Sequence, residues 1–306
     1  MKILVTGGAG FIGSWVADIL IGEGHQVLIL DNLSTGFEHN VPRKADFIQG
    51  DIRDRKLVEK VFADFKPEVI NHHAAQMDVR VSVDDPVYDA EVNIIGTINL
   101  LELSVKSGVK KFIFASTGGA IYGEPEKLPA DENTSPMPIS PYGTSKYAVE
   151  KYLGCYNAVY GLEYVALRYA NVYGPRQNPH GEAGVVAIFC NKIISGKPCQ
   201  IFGDGNQTRD YVYIGDVARA NIFALNAPVG SYNIGTEKET SVNDLVKALK
   251  KATVREFQVE YAPARLGEVQ RISLDINMTR QVLGWSPSVD LEDGIAQTWK
   301  WFVERS

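Results

Sequence analysis

Two side chains four residues apart carry the most reactive chemistry in this chain. In Pro141-Tyr142-Gly-Thr-Ser-Lys146-Tyr-Ala-Val-Glu150 a proline-punctuated loop runs into a helix. Helical positions 142 and 146 share one face. A phenol is a poor base at neutral pH, its free pKa being near 10. A neighbouring ammonium favours the phenolate, as would a positively charged ring on a bound cofactor. Tyr142 is therefore a candidate base and Lys146 the group that tunes it. Spacing alone does not single them out, since Tyr147 and Lys151 share it. What sets the first pair apart is the dense strand upstream, Lys111-Phe-Ile-Phe-Ala-Ser116, running into Thr117. Thr117 is a third candidate, at the carboxyl end of that strand.

The first residues supply a place for a bound cofactor. Lys2-Ile-Leu-Val-Thr6 is an apolar strand entering Gly7-Gly-Ala-Gly10-Phe11-Ile12-Gly13. Gly8, Gly10 and Gly13 satisfy G-x-G-x-x-G, with an apolar-periodic helix directly after. Missing side chains let the backbone approach a pyrophosphate, whose charge rests on the helix N-terminal amides. The strand His25-Gln-Val-Leu-Ile-Leu ends at Asp31, placed to accept both hydroxyls of an adenosine ribose. A 2′-phosphate would meet a like charge there, and Asn32-Leu-Ser34 offers no arginine, so NAD is expected rather than NADP. Asp51, closing another strand, is placed for the adenine amino group. His72 and His73 invite a metal reading. However, adjacent strand residues face opposite ways and no third ligand is suitably spaced, so no metal is expected. The small Ala74-Ala75 pair next to the pyrophosphate explains the segment better.

The elements that must hold these groups alternate. Strands are expected at Lys2–Thr6, Gln26–Leu30, Asp46–Gln49, Glu68–Asn71 and Lys111–Ser116, with helices between them. One long helix is expected over Pro86–Ser107, with Val92, Ile95, Ile98, Leu101 and Val105 as its apolar stripe. Such alternation predicts an α/β protein with a Rossmann-like, doubly wound parallel sheet covered on both faces. Ligands in such sheets sit beyond the carboxyl ends of the strands, where Gly7, Asp31, Asp51, Ala74 and Thr117 all fall. Ser231–Gly235 is expected to return to that sheet. The division expected is a cofactor-binding part at 1–170 plus about 210–235, and a smaller α/β substrate-binding lobe at about 171–209 and 236–306.

The chain has 306 residues, 45% hydrophobic and 22% charged, with a formal net charge of −6. That balance argues against a general nucleic-acid or acidic-membrane surface. No apolar run approaches the ~20 residues of a membrane span. Strand 1 follows Met1 directly, and the three cysteines (Cys155, Cys190, Cys199) lack metal-ligand spacing. A cytoplasmic protein with reduced thiols is expected.

In the second half, Gln200-Ile-Phe202 reads as a short strand. Arg209 and Arg265, from distant segments, could clamp a diphosphate with their planar forks. Thr6–Gly13 and Tyr142-x-x-x-Lys146, with Arg168–Arg176, Gly203–Tyr211 and Arg265-x-Gly267-Glu268, resemble the extended short-chain dehydrogenase/reductase family. The likeness spans nearly the whole chain and is greatest to its nucleotide-sugar epimerases of the UDP-glucose/UDP-galactose 4-epimerase type. It implies a UDP-sugar substrate, with Asn171 at the sugar or its phosphate. It also implies a homodimer through helices at about 86–107 and 143–160. Candidate cofactor contacts are Gly7, Gly10, Phe11, Ile12, Gly13, Asp31, Asn32, Asp51, Ile52, Ala74, Ala75, Asn93, Tyr142 and Lys146. Candidate substrate contacts are Thr117, Asn171, Val186, Gln200, Phe202, Arg209, Arg265 and Glu268.

Members of this family that eliminate water carry Thr-Asp-Glu after the fifth strand. Here Thr117 is followed by Gly118-Gly119, without a carboxylate. Dehydration needs an acid and a base beyond the tyrosine, whereas moving a hydride out and back does not. Epimerisation is expected. The alternatives are UDP-glucuronate or UDP-N-acetylglucosamine as substrate, a dehydrogenase or reductase, and a non-catalytic nucleotide-sugar binder.

Overall fold

The computed structural model describes residues 1–180, 184–264 and 269–306. Each glycine- or polar-capped boundary in the sequence becomes an element end. β1 (Lys2–Thr6) turns into α1 (Phe11–Gly22), and β2 (Gln26–Asp31) and β3 (Asp46–Gln49) follow. α2 (Arg55–Phe65) starts where the Asp54 side chain accepts from the Leu57 amide, and leads to β4 (Val69–His72). Next come α3 (Val79–Asp84), α4 (Pro86–Ala90), a π-helical turn (Glu91–Ile95) and α5 (Gly96–Ser107). β5 (Lys111–Thr117) and the short α6 (Gly118–Ile121) precede α7 (Pro141–Tyr160). α7 is the longest helix described, capped by Ser140 through the Gly143 amide, with Pro141 in its first turn.

β6 (Glu163–Tyr169), β7 (Asn171–Tyr173), α8 (Val185–Ile194), β8 (Cys199–Phe202), β9 (Thr208–Arg209) and β10 (Tyr211–Tyr213) follow. α9 (Ile214–Ala224), β11 (Gly230–Ile234), β12 (Thr240–Ser241), α10 (Val242–Thr253), β13 (Val259–Ala262), α11 (Asn277–Leu283) and α12 (Leu291–Val303) complete the chain.

The main sheet has the order β11-β6-β5-β4-β1-β2-β3, and all its pairings are parallel. β1 lies between β2 and β4, so the strand order reverses there and opens a crevice at the carboxyl ends. One face is packed by α2, α5 and α7 through Val58, Leu100, Val149 and Leu153. The other is packed by α1 and α9 through Val16, Leu20 and Val217. This is the Rossmann-like sheet that the alternation implies. Three small pairs, β7–β10, β8–β13 and β9–β12, and the helices α8, α10 and α12 build a second core around Phe189, Leu245 and Trp299. None of the described helices is long and apolar enough to cross a membrane.

The single helix expected at 86–107 differs in its middle. The π turn inserts an extra residue and shifts the helical phase. Ile95, expected on the buried stripe, is 52% exposed, while Asn93 is 3% exposed. α3 and α6 had no counterpart in the sequence reading.

A buried polar cluster ties the sheet to α7. Arg168 on β6 pairs with Glu150 on α7 at 2.6 Å and donates to the Tyr122 hydroxyl. Glu150 also accepts from Ser116 on β5 and Ser231 on β11. Both members of the pair are more than nine-tenths buried. Replacing Arg168 with Met leaves Glu150 uncompensated, which costs about 3–5 kcal/mol. A clear drop in the urea midpoint is expected; an unchanged midpoint would show that the pair does not carry this junction.

Candidate active site

The site begins where β1 ends. Gly7 adopts φ +70°, and its amide donates to the Leu30 carbonyl at 2.9 Å. A Cβ on Gly7 would come within 2.5 Å of the Ala74 amide nitrogen, and one on Gly13 would overlap the Gly7 carbonyl oxygen. Only glycine fits this approach. Gly10 is the N-cap of α1 with no side-chain cap, and the first turn carries no acid. The helix amides therefore face outward at the strand-order reversal, a cradle that fits a pyrophosphate.

Asp31 has a structural task as well. Its carboxylate accepts from the Ala9 amide at 2.9 Å and the Leu33 amide at 2.8 Å, pinning the glycine turn to β2. It is 7% exposed. Each oxygen keeps a further lone pair that a ribose hydroxyl could use. Asp51 is more fully engaged than its sequence position suggests. One oxygen accepts from the Arg53 amide and Nε, the other from Arg53 Nη2 and Asn32 Nδ2. The Arg53 hydrogen bonds hold its carboxyl at about 2. An adenine amino group would have to displace one of these donors. Ile52 is buried beneath, its carbonyl taken by Asn99.

Ala74 and Ala75 are partly exposed beside the turn, with His73 N donating to the Thr6 carbonyl. His72 is hydrogen-bonded between Thr6 Oγ1 at 2.6 Å and Thr97 Oγ1 at 2.9 Å. Burial lowers both histidines, His73 to about 3, so they are neutral spacers. No three His, Cys, Asp or Glu side chains converge as a metal site among the described residues. Asn93 does not present its amide to the crevice. It exchanges hydrogen bonds with the Gln76 backbone and donates to Asp89. Phe11 and Ile12, on the first turn of α1, pack on the core of the second lobe and so join the two parts at the cradle.

Tyr142 and Lys146 lie on the first turns of α7, against the end of β5. Lys146 is 3% exposed. Its Nζ donates to the Ala115 carbonyl at 2.9 Å and lies 4.7 Å from the Phe114 ring centroid and 5.9 Å from that of Tyr142. Burial lowers Lys146 to about 8, with the charge of Asp89 acting in the opposite sense. Thr117 closes β5 and stands at the N-cap of α6. Gly119 sits between Thr117 and Asn171: a Cβ there would lie 3.8 Å from Thr117 Oγ1 and 3.4 Å from Asn171 Oδ1. The two hydrogen-bonding side chains thus border one small space kept open by a glycine.

The rest of the substrate set divides. Val186 is fully buried in the second core and offers a ligand no side-chain surface. β8 carries Gln200, exposed, and Phe202, partly buried, and pairs with β13 along one edge. Arg209 on β9 is partly buried, its Nη1 donating to the Thr208 carbonyl. Arg265 and Glu268 lie outside the described residues. The sequence reading held Asp210 only as part of the Gly203–Tyr211 motif and did not single out Asp89. Asp210 accepts from the Thr236, Glu237 and Leu274 amides and ties these segments together. Burial pushes its carboxyl up to about 6 against those hydrogen bonds. Its only sequence signal was its place beside Arg209.

A family model described as the NAD dependent epimerase/dehydratase family matches residues 3–235. The UDP-glucose 4-epimerase of Mycolicibacterium smegmatis is 46% identical over 314 residues, covering 100% of both chains. The crystal structure of UDP-glucose 4-epimerase with UDP-glucose from Thermotoga maritima superposes with a TM-score of 0.98 at 50% identity, covering 100% of this chain and 99% of that one. That of the Thermus thermophilus enzyme in complex with NAD gives 0.95 at 47% identity, covering 99% of each. The chain belongs to the NAD dependent epimerase/dehydratase family.

Gly13→Ala places a methyl group against the Gly7 carbonyl in the middle of the cradle. It should weaken NAD binding at least about tenfold, since the turn must open to relieve the overlap. Calorimetric titration of NAD into cofactor-stripped protein checks this, and unchanged affinity with retained fold would remove the cradle from the cofactor site.

Proposed function

We propose that this chain is an NAD-dependent 4-epimerase of a UDP-hexose, interconverting UDP-glucose and UDP-galactose. The observation that carries the reading is the end of β5. Thr117, Gly118 and Gly119 adjoin the Tyr142–Lys146 helix with no carboxylate among them. Two acids on or against that helix, Glu150 and Asp89, are buried and hydrogen-bonded elsewhere. Elimination of water would need a second acid–base group, which residues 117–119 do not supply, whereas oxidation and re-reduction at one carbon needs none. The named activities of the relatives above support the same choice.

The glycine turn, Asp31 and the Ala74–Ala75 segment would hold NAD, which when bound supplies a reversible hydride acceptor. Arg209, with Arg265, neutralises the diphosphate of the substrate, and the edge of β8 receives the uracil. Tyr142, as phenolate, removes the proton of the sugar 4-hydroxyl while C4 is oxidised to a ketone. Thr117 holds O4 in line with the tyrosine oxygen, and the Lys146 ammonium keeps Tyr142 ionised. The 4-keto sugar turns about its link to the diphosphate. Tyr142, now a phenol, returns its proton to O4 as C4 is reduced from the opposite face. Protons and electrons balance over the cycle, so the cofactor is a resident group.

The reading includes a homodimer. On α7, Val149, Leu153 and Tyr156 are core residues at 1%, 1% and 8% exposure. The apolar side chains left at the surface of α4, the π turn and α7 are Val87, Ile95, Tyr152, Val159 and Tyr160. They support an association through that face.

Two outcomes test the activity. Without added NAD, purified protein should equilibrate UDP-galactose with UDP-glucose by NMR, while UDP-glucuronate and UDP-N-acetylglucosamine turn over more slowly. Tyr142→Phe should lower kcat by about 10²–10⁴-fold with UDP affinity retained. Full activity in that variant, or stoichiometric accumulation of reduced cofactor in the wild type, would overturn the assignment.

A further inference from the structure

Asp89 is wholly buried on α4, yet its hydrogen bonds reach three segments beside the reacting pair: the loop after β4, the π turn and α7. Its Oδ1 accepts from Gln76 Nε2 at 3.0 Å, in the segment that follows β4 past the cofactor cradle. The same oxygen accepts from Asn93 Nδ2 at 2.9 Å, in the π turn. Its Oδ2 accepts from Ser145 Oγ at 2.6 Å, on α7, one residue before Lys146 and three after Tyr142. The π turn explains how these meet: its extra residue turns Asn93 inward to clamp Gln76 at both backbone groups.

We propose that Asp89 is a positioning residue for the reaction, which locks the Tyr142–Lys146 face of α7 to the loop after β4 and supplies the buried negative charge that keeps Lys146 an ammonium. This rests on Tyr142 and Lys146 being the reacting pair. The charges and dipoles around Lys146 support it. From β5 it meets the Ala115 carbonyl and the Phe114 ring. From its own helix it meets the Tyr142 ring. At the end of β4, His72 and His73 feel the charge of Lys146, and burial keeps both neutral. Asp89 on α4 opposes the burial that lowers the Lys146 affinity for its proton. A bound oxidised nicotinamide would add a positive charge nearby and make that opposition more necessary.

The sign of the effect follows. With Asp89 replaced by Asn, burial acts unopposed and Lys146 loses its proton at lower pH. The alkaline limb of the kcat/KM profile for UDP-galactose should then fall by about one pH unit, so that activity at high pH drops ~10-fold further than at neutral pH. A purely structural role would lower activity evenly across pH. A limb that stays in place while Tyr142→Phe remains inactive would overturn the proposal and leave the reading of the pair intact. An active Tyr142→Phe enzyme would remove both. If Asp89→Asn does not fold, Ser145→Ala tests the same contact with the carboxylate kept. It should lower kcat several-fold with KM little changed and no downward move of the alkaline limb. Undiminished kcat, or a limb that falls, would contradict the role.

Discussion

The structure depends on how closely two backbones pass at the strand-order reversal. Gly7, with φ +70°, lies so near the Ala74 amide that no side chain could stand between them. Gly13 packs on the Gly7 carbonyl in the same way. This fit brings the N-terminus of α1, the end of β4 and Asp31 to one crevice, and it sets how far α1 stands from the sheet. Phe11 and Ile12, one turn on, carry the same constraint into the second core. The relation between the two lobes is thereby anchored at the anion-binding turn.

Across the crevice, the second constraint is electrostatic. Lys146 is a buried cation whose hydrogen bond goes to the Ala115 carbonyl rather than to a carboxylate at contact distance. A carboxylate at contact would quench it as a tuner of Tyr142, and with no anion nearby burial would lower its affinity for the proton further. The fold places its buried acids accordingly. Glu150, on the same helix, is neutralised by Arg168. Asp89 is solvated by neutral donors and keeps its negative field. Two buried carboxylates near one helix thus serve different ends, one joining sheet to helix and the other holding a charge in place.

The placement of the glycine turn, Asp31 and Thr117 at strand ends, and of Tyr142 and Lys146 on one helix, was legible in the sequence because its evidence is local: a spacing, a strand end, a helix face. The parallel sheet was legible because its inner strands, such as β1 and β5, are buried on both faces and read as apolar runs. What was not legible depended on tertiary placement. Val186 lies at the start of an amphipathic helix and reads equally as surface or core until α12 covers it. Asp51 seemed open until Arg53 and Asn32 filled its acceptors. Ile95 misled because a π turn leaves no mark on apolar periodicity, and Asp89 gains meaning only once the π turn delivers Asn93 to it.

The central claim is that C4 of the sugar loses and regains the same hydrogen inside one closed site. It is tested most directly by following UDP-galactose to UDP-glucose in deuterium oxide by proton NMR. The account predicts that the product keeps protium at C4 through many turnovers, because the Tyr142 proton exchanges with solvent but the transferred hydride does not. Deuterium appearing at C4 at a rate comparable to epimerisation would contradict it.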